Sequence, residues 1–264
     1  MSASELTASK VPAITLSFWI IKILCTTLGE TGGDTLSMTV LGEASGSPGI
    51  GQGYLIASAV FLSILLAFVW LQIRAATFHP FLYWATIIAS TTAGTTLADF
   101  ATRSLGIGYT GGSLLQLGLV LASLFTWYRS MGTIAVESVA SPRAEAFYWT
   151  TITFSQTLGT ALGDWAADTG GLGYLGGALL FGGAIAVLAV LYKTTSISRV
   201  ALFWAAFILT RPLGATVGDF LDKPLAKGGL DFSRPLASAV LVAAVAVLIL
   251  ALPQRAGSHP EETA

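Results

Sequence analysis

The chain has 264 residues, of which 54% are hydrophobic and 10% are charged, and its formal net charge is -1. A typical soluble domain carries roughly 25% charged residues, so this composition indicates an integral membrane protein. The near-neutral charge argues against a nucleic-acid partner, which would need a basic face. The only cysteine, Cys25, excludes internal disulfides and a cysteine-cluster metal site.

Apolar stretches of about 20 residues, the length that crosses a hydrocarbon core, predict eight transmembrane helices. In chain order they are residues 13–35, 53–72, 80–101, 111–128, 146–167, 174–192, 199–221 and 234–252. The even-numbered spans are almost uniformly apolar, whereas each odd-numbered span carries a carboxylate near its end. Residues 13–252 therefore form one all-α membrane domain. It lies between an N-terminal tail, residues 1–12, and a C-terminal tail, residues 253–264. We expect the C-terminal tail to be disordered.

A spaced motif recurs in every odd-numbered span. A tryptophan is followed by glycine ten residues later, by glycine or alanine fourteen later, and by aspartate fifteen later. The four sets are Trp19, Gly29, Gly33, Asp34; Trp84, Gly94, Ala98, Asp99; Trp149, Gly159, Gly163, Asp164; and Trp204, Gly214, Gly218, Asp219. The chain is thus predicted to be four tandem two-helix repeats, at about residues 13–72, 80–128, 146–192 and 199–252. Repeats with two spans keep one direction, so rotation about the membrane normal should relate them.

The distribution of cations predicts the orientation. An even number of spans puts both termini on one side, where cations outnumber those on the other side by seven to four. The two groups are Lys10, Arg74, Arg129, Arg143, Lys193, Arg199 and Arg255, against Arg103, Lys223, Lys227 and Arg234. This bias favours cytoplasmic termini. The tryptophans then lie toward the cytoplasm and the aspartates in the outer half of the membrane.

Helical periodicity separates the motif into two stripes. Positions seven, eleven and fifteen after each tryptophan share one face and form a polar stripe. Its members are Thr26, Glu30, Asp34; Thr91, Thr95, Asp99; Gln156, Thr160, Asp164; and Arg211, Ala215, Asp219. The small residues at ten and fourteen form a neighbouring packing stripe of the kind that lets helices approach closely. Because polar groups avoid lipid, we expect the odd helices inside and the even helices outside, with the aspartates around a central cavity.

Two cations lie inside spans. If the odd helices lie at equal depth, Arg211 and Glu30 are separated by about 6 Å along the helix axes. This separation predicts an ion pair between them, which would make the first and fourth repeats neighbours. Lys22 is about 18 Å in rise from the aspartate layer and should not pair with it. The aspartates are therefore expected to keep a surplus of negative charge, which a bound cation or protons would balance.

Simpler interpretations remain open for several of these residues. The aspartates could be loop residues at helix ends, and the tryptophans could be interfacial anchors or packing residues. The glycine-rich connections after each aspartate are expected to be tight turns, with re-entrant segments as the alternative. Asp168 and Asp222, just beyond the motif, could supplement the site at its outer mouth.

The repeat resembles a family of bacterial integral membrane proteins of uncharacterised function, built from four tandem two-helix repeats that each contain a tryptophan. The resemblance rests on segments such as Leu158-Gly159-Thr160-Ala161-Leu162-Gly163-Asp164 after Trp149, and covers residues from about 13 to 252. It implies eight spans and a location in the bacterial cytoplasmic (inner) membrane. It implies no reaction and no substrate.

The polar stripe favours a small-cation transporter or exporter. Carboxylate and hydroxyl oxygens suit hard divalent ions such as Mn²⁺, Mg²⁺ or Ca²⁺, and the same carboxylates could carry protons for coupled exchange. The candidate ligands are Glu30, Asp34, Asp99, Asp164 and Asp219. The alternative is a non-transporting binding or sensing protein for a small cationic ligand or lipid headgroup. An enzyme is not expected, because no nucleophile–base pair or phosphate-binding loop is visible. No cofactor is expected beyond such an ion, and the sequence leaves a homodimer open.

Overall fold

A computed structural model describes residues 9–43 and 52–257, and within these ranges the chain forms eight α-helices and no strand. The helices are α1 (Leu16–Asp34), α2 (Gln52–Arg74), α3 (Pro80–Asp99), α4 (Gly108–Met131), α5 (Pro142–Asp164), α6 (Gly173–Thr194), α7 (Arg199–Asp222) and α8 (Arg234–Ala251). Each predicted span overlaps one of them. The outer parts of both predicted tails, residues 1–8 and 258–264, lie outside the described residues, as do Gly49 and Gly51 of the first connection.

The odd helices begin with the same device. The side chains of Thr15, His79, Ser141 and Ser198 each accept a hydrogen bond from the backbone N–H three residues later. This N-cap satisfies one of the free amides of the first helical turn. The four caps fix the start of each odd helix at the tryptophan end of the molecule.

Three odd helices continue past their aspartate as π-helical turns. These turns are Thr35–Val40 after α1, Phe100–Ser104 after α3 and Trp165–Thr169 after α5. Helix α7 has no such turn and remains α-helical as far as Asp222. The alternative that the aspartates are loop residues at helix ends is therefore wrong, because each is followed by further helix. π-Helical turns within helices are rare and often lie at functional sites.

The odd helices form a closed ring. Helix α1 packs against α3 and α7, and α5 packs against the same two neighbours from the opposite side. The even helices lie outside this ring, each on the odd helix that follows it: α2 on α3, α4 on α5, α6 on α7 and α8 on α1. The last repeat thus closes onto the first, and the polar stripes face a common axis.

Five helices are long and apolar enough to cross a membrane: α2, α4, α6, α7 and α8. In each even helix, only 17–22% of the most apolar stretch is buried within the protein. In α7 the buried share of that stretch is 61%. Helices with such apolar, protein-free surfaces are expected of a membrane protein. The remaining three, α1, α3 and α5, carry the polar stripe, which lowers their hydropathy.

An aromatic cluster fills the tryptophan end of the ring. Trp84, Trp149 and Trp204 are at most 3% exposed and pack against neighbouring aromatic rings. The hydroxyl groups of Tyr83 and Tyr148 lie 2.6 Å apart across this cluster. Of the two interpretations of the tryptophans, packing within the protein therefore holds for these three.

The inner ends of the two tails meet below the aromatic cluster. Pro12 forms a β-bridge with Ala256, and Lys10 Nζ lies 2.6 Å from Glu145 Oε1 at the start of α5. The expectation of a disordered C-terminal tail is therefore wrong for residues 253–257, because backbone hydrogen bonds hold them against the N-terminal segment.

Candidate functional site

The packing stripe of each odd helix lies against the polar stripe of the next. The first layer of contacts is Gly29–Thr91, Gly94–Gln156, Gly159–Arg211 and Gly214–Thr26, and a Cβ on any of these glycines would come within 3.0 Å of its partner. One turn further, Gly33, Gly163 and Gly218 meet Thr95, Ala215 and Glu30. The fourth member of that layer, Ala98, is buried as well. The absence of larger side chains lets the helices approach closely enough to point their polar groups at the axis.

Arg211 joins the four odd helices on the axis. Its Nη2 atom lies within hydrogen-bonding distance of Glu30 Oε2 at 3.0 Å, Thr95 Oγ1 at 2.6 Å and Thr160 Oγ1 at 2.5 Å, one group from each of the other three repeats. The predicted Arg211–Glu30 ion pair is confirmed, as is the contact between the first and fourth repeats. The side chain is fully buried and occupies the axis at the level of Glu30.

Lys22 lies apart from the carboxylates, as its position in α1 predicts. Its Nζ atom is 4.1 Å from the centre of the Phe207 ring and 3.4 Å from Thr210 Oγ1. No carboxylate of the described residues lies within 4.0 Å of it. The ammonium therefore has a cation–π contact and one hydroxyl group in place of an ion pair.

Two cations reach the aspartate layer from the ends of the helices. Arg103 contacts Asp99 and Asp164, both at 3.0 Å. Lys223 contacts Asp34 at 2.7 Å and Asp219 at 2.9 Å. The layer is thus two bridged pairs, each linking one repeat to the next, and sequence analysis did not predict these two basic partners. Both cations follow their own aspartate by four residues, a spacing that places side chains on one helical face and that could have identified them.

Two tyrosines surround the Arg103 guanidinium. Tyr54 accepts a hydrogen bond from Nη1 at 3.1 Å, and the rings of Tyr54 and Tyr109 lie 5.9 and 5.8 Å from the guanidinium carbon. Each tyrosine follows a glycine near the start of an even helix, and the connection before α4 is a tight turn through Gly106 and Gly108, both at positive φ. The repeated Gly-Tyr pair was therefore a usable signal for this contact, which sequence analysis missed.

Additional carboxylates surround the Lys223 pair. Oxygen atoms of Glu30, Asp34 and Asp219 lie within 4.8 Å of one another, and all three residues are buried. Asp34 Oδ1 is buried and accepts no hydrogen bond from the described residues. Asp222 is buried beside this group, with Arg234 Nε 3.3 Å from its Oδ2 atom and 3.8 Å from Asp34 Oδ2. We call Glu30, Asp34 and Asp219 the acidic triad.

The predicted supporting residues separate into two groups. Thr26, Thr91, Thr95, Gln156 and Thr160 are fully buried on the polar stripes. Asp222 is buried beside the acidic triad and contacts Arg234. Asp168 is exposed on the π-helical turn after α5, away from the buried layer.

A family model of repeats matches the chain four times. The family is described as Repeat of Unknown Function (DUF347), and the matches cover residues 17–78, 82–133, 147–198 and 202–255. The chain belongs to the DUF347 repeat family. Neither curated proteins nor solved structures gave a match to it. The predicted resemblance to a family with four internal repeats is confirmed.

Each DUF347 repeat contains one odd helix and the even helix after it. Because that even helix packs mainly on the odd helix of the next repeat, no repeat buries its own polar stripe. The site is therefore a property of the four DUF347 repeats together. Only the fourth repeat contributes Arg211, and only the first contributes Glu30.

The charged layer of this DUF347 protein contains more acids than bases. Its six carboxyl groups are Glu30, Asp34, Asp99, Asp164, Asp219 and Asp222, and its four cations are Arg103, Arg211, Lys223 and Arg234. With every carboxyl group ionised, two negative charges remain. One divalent cation or two protons would neutralise them.

The acidic triad fits a hard divalent cation chemically. Carboxylate oxygens are the ligands that Ca²⁺, Mg²⁺ and Mn²⁺ prefer, and three residues from two adjacent helices can supply them. The Arg103 pair offers two carboxylates, with a guanidinium between them.

Proposed function

We propose that this protein is a membrane transporter or exporter of a hard divalent cation, and that the acidic triad binds the ion during transport. The observation that carries the proposal is the convergence of three buried carboxylates whose oxygen atoms lie within 4.8 Å of one another. Carboxylates at membrane depth are costly and are typical of ion pathways.

The membrane arrangement in this proposal has eight spans, cytoplasmic termini and a location in the bacterial inner membrane. Of the four cations that count against this orientation, Arg103, Lys223 and Arg234 contact buried carboxylates, which leaves Lys227. That pairing supports the orientation, because these three cations are part of the protein interior. The ion would then meet the triad from the outer half and the aromatic cluster from the cytoplasmic side.

Lys223 provides the means of release in this proposal. Its ammonium group lies between Asp34 and Asp219, where a divalent ion would also bind, so ion and ammonium compete for the same oxygens. Lys223 directly follows α7, and the next connection turns at Gly228, which has a positive φ. In the proposal the ammonium leaves the two carboxylates when the ion binds, and its return displaces the ion.

Helix α7 is the element best suited to move. Pro212 lies inside it, next to Arg211. Proline has no backbone N–H, so α7 lacks one backbone hydrogen bond near Arg211. The other odd helices have threonine at the equivalent position, namely Thr27, Thr92 and Thr157. Bending at Pro212 would shift Arg211 away from Glu30 and open the axis. Proton exchange on the freed carboxylates would couple this step to the proton gradient.

The experiment is flux into proteoliposomes that contain a metal-sensitive dye, with Mn²⁺ and Ca²⁺ tested separately. Asp34→Asn and Asp219→Asn should each lower the initial rate at least about tenfold, because a lost charged ligand removes more than about 1.4 kcal/mol. Asp168→Asn is the matched control, since it removes an exposed carboxylate near the same end of the molecule. Unchanged flux in both triad variants, with folded protein in the vesicles, would contradict the proposal.

The buried position of Arg211 favours a second candidate. A guanidinium that bonds three other helices on the axis suits a protein that binds a cation without moving it, as a sensor would. In that case Mn²⁺ or Ca²⁺ should raise the unfolding temperature of the purified protein, because it binds the folded state, while flux stays at background.

A further inference from the structure

A long groove opens on the outside of the ring near the tryptophan end. It has a volume of about 850 Å³ and lies between α1 and α6, over α7. Its lining is mostly apolar and includes Leu16, Ile20, Ile23, Ile185 and Leu188. Leu16 and Ile20 are 76% and 43% exposed, so no part of the described chain covers this surface.

Helix α6 differs from its counterpart in the first repeat at positions that line the groove. Residues 53–84 and 173–204 align without a gap, from a Gly-Tyr-Leu sequence to the motif tryptophan. Ala189 of α6 lines the groove and stands where α2 has Val69, so α6 offers less side-chain volume there. In α2, Gln72 is only 1% exposed, whereas the equivalent Tyr192 is 55% exposed.

Trp19 also differs from the other motif tryptophans. The other three are at most 3% exposed in the aromatic cluster, whereas Trp19 is only partly buried and lines the groove. Both walls of the groove, α6 and α1, therefore depart from the repeat symmetry at the same place. At the corresponding place in the first repeat α2 contacts α5, whereas here the groove lies between α6 and α1.

The mouth of the groove is basic. Lys193 and Arg199 lie at the end nearest the tail segments, and both are exposed. The Arg199 guanidinium is 4.3 Å from the centre of the Tyr192 ring and donates to the Tyr192 carbonyl, which holds it beside the groove. Among the described residues, Glu137 is the one carboxylate that lines this mouth, so two cations face one acid there.

We propose that this groove binds an anionic phospholipid. One acyl chain lies along the apolar wall of α1 and α6, and Lys193 and Arg199 hold the phosphate. An apolar surface of this length that ends in two cations matches the shape and charge of such a lipid, and basic sites between membrane helices bind anionic headgroups elsewhere. The proposal is independent of cation transport, because the groove and the acidic triad share no residue.

The test is lipid retention in nanodiscs of equal parts phosphatidylglycerol and phosphatidylcholine, measured by native mass spectrometry after release. The wild type should retain phosphatidylglycerol. The double variant Lys193→Gln/Arg199→Gln should bind it about thirty-fold more weakly, since each cation near a lipid headgroup contributes roughly fivefold. The matched control is Arg129→Gln/Arg143→Gln, which removes two exposed cations outside the groove and should retain the lipid.

A second measurement locates the lipid. Brominated phosphatidylglycerol quenches tryptophan fluorescence at contact, and the quenched component should shrink in Trp19→Phe and in the groove-filling variant Ala189→Phe. Equal retention of the two lipids by the wild type would overturn the proposal. So would full retention of phosphatidylglycerol by the groove double variant, or a dimer whose interface covers the groove.

Discussion

The two bridged pairs of aspartates have the same spacing in the repeat but different surroundings. Arg103 joins Asp99 to Asp164 under the rings of Tyr54 and Tyr109, with its side chain 30% exposed. Lys223 joins Asp219 to Asp34, with its side chain 10% exposed. Glu30, Asp222 and Arg234 gather around the second pair.

The difference shows how a duplicated motif can produce one site instead of four. Every repeat supplies an aspartate, but a third carboxylate reaches only the Lys223 pair, because only the first repeat has glutamate eleven residues after its tryptophan. An ammonium is also a compact point charge that a metal ion can replace, whereas a guanidinium forms planar, directional bonds. The Arg103 pair is therefore suited to structure and the Lys223 pair to exchange.

The largest expected effect comes from removing each bridging cation in turn. Lys223→Met leaves Asp34 and Asp219 buried without their shared cation and should lower the free energy of unfolding by about 3–5 kcal/mol. Arg103→Met should cost less, about 1–3 kcal/mol, because the Arg103 side chain is 30% exposed against 10% for Lys223. Thermal unfolding in detergent measures both.

Divalent cations should separate these two variants. Mn²⁺ or Ca²⁺ should recover most of the lost stability in Lys223→Met, where three carboxylates can bind the ion, and little in Arg103→Met. If the ions restored stability equally in both variants, the third carboxylate, Glu30, would not make the Lys223 pair a better ion site than the Arg103 pair.

A smaller effect is expected from the packing that brings the pairs together. In Gly159→Ala the added Cβ would come within 3.0 Å of the Arg211 side chain, which should cost about 1–3 kcal/mol through overpacking. Gly118→Ala in α4 is the control, since nothing lies within 4 Å of its added Cβ. It should leave the unfolding temperature unchanged or slightly higher. Equal losses in the two variants would refute the close packing at Gly159.

The smallest effect is expected at Asp168, which stands where the second and fourth repeats have Arg103 and Lys223. Because Asp168 is exposed, Asp168→Asn should change the free energy of unfolding by no more than about 0.5 kcal/mol. Chemical denaturation provides the measurement. A larger loss would show that the carboxylate belongs to the buried layer.

Much of this architecture follows from the sequence, because helical period and internal duplication act together. Apolar length predicted the eight helices, and equal depth of the odd helices predicted the bond between Arg211 and Glu30. These predictions needed only the rise of a helix and the cost of exposing polar groups to lipid.

The pairing of the aspartates could not be obtained in the same way. Whether Arg103 reaches Asp164 or Asp34 depends on the order of the helices around the ring, which no spacing in the chain encodes. The π-helical turns were also missed. The predicted third span therefore ended at residue 101, and Arg103 was placed in the loop after it. The bonds from Arg211 to Thr95 and Thr160 were missed for a related reason, since the direction of this long side chain depends on partners in three other helices.

The closure of α7 onto α1 has a consequence for how the chain is made. The partners Glu30 and Arg211 are 181 residues apart, and Asp34 and Lys223 are 189 apart. At synthesis rates of about 5–20 residues per second, α1 emerges roughly 10–40 s before the cations that neutralise it. During that interval the nascent chain holds two unpaired acids, so insertion of the first repeat depends on protons, ions or insertion machinery until the fourth repeat arrives.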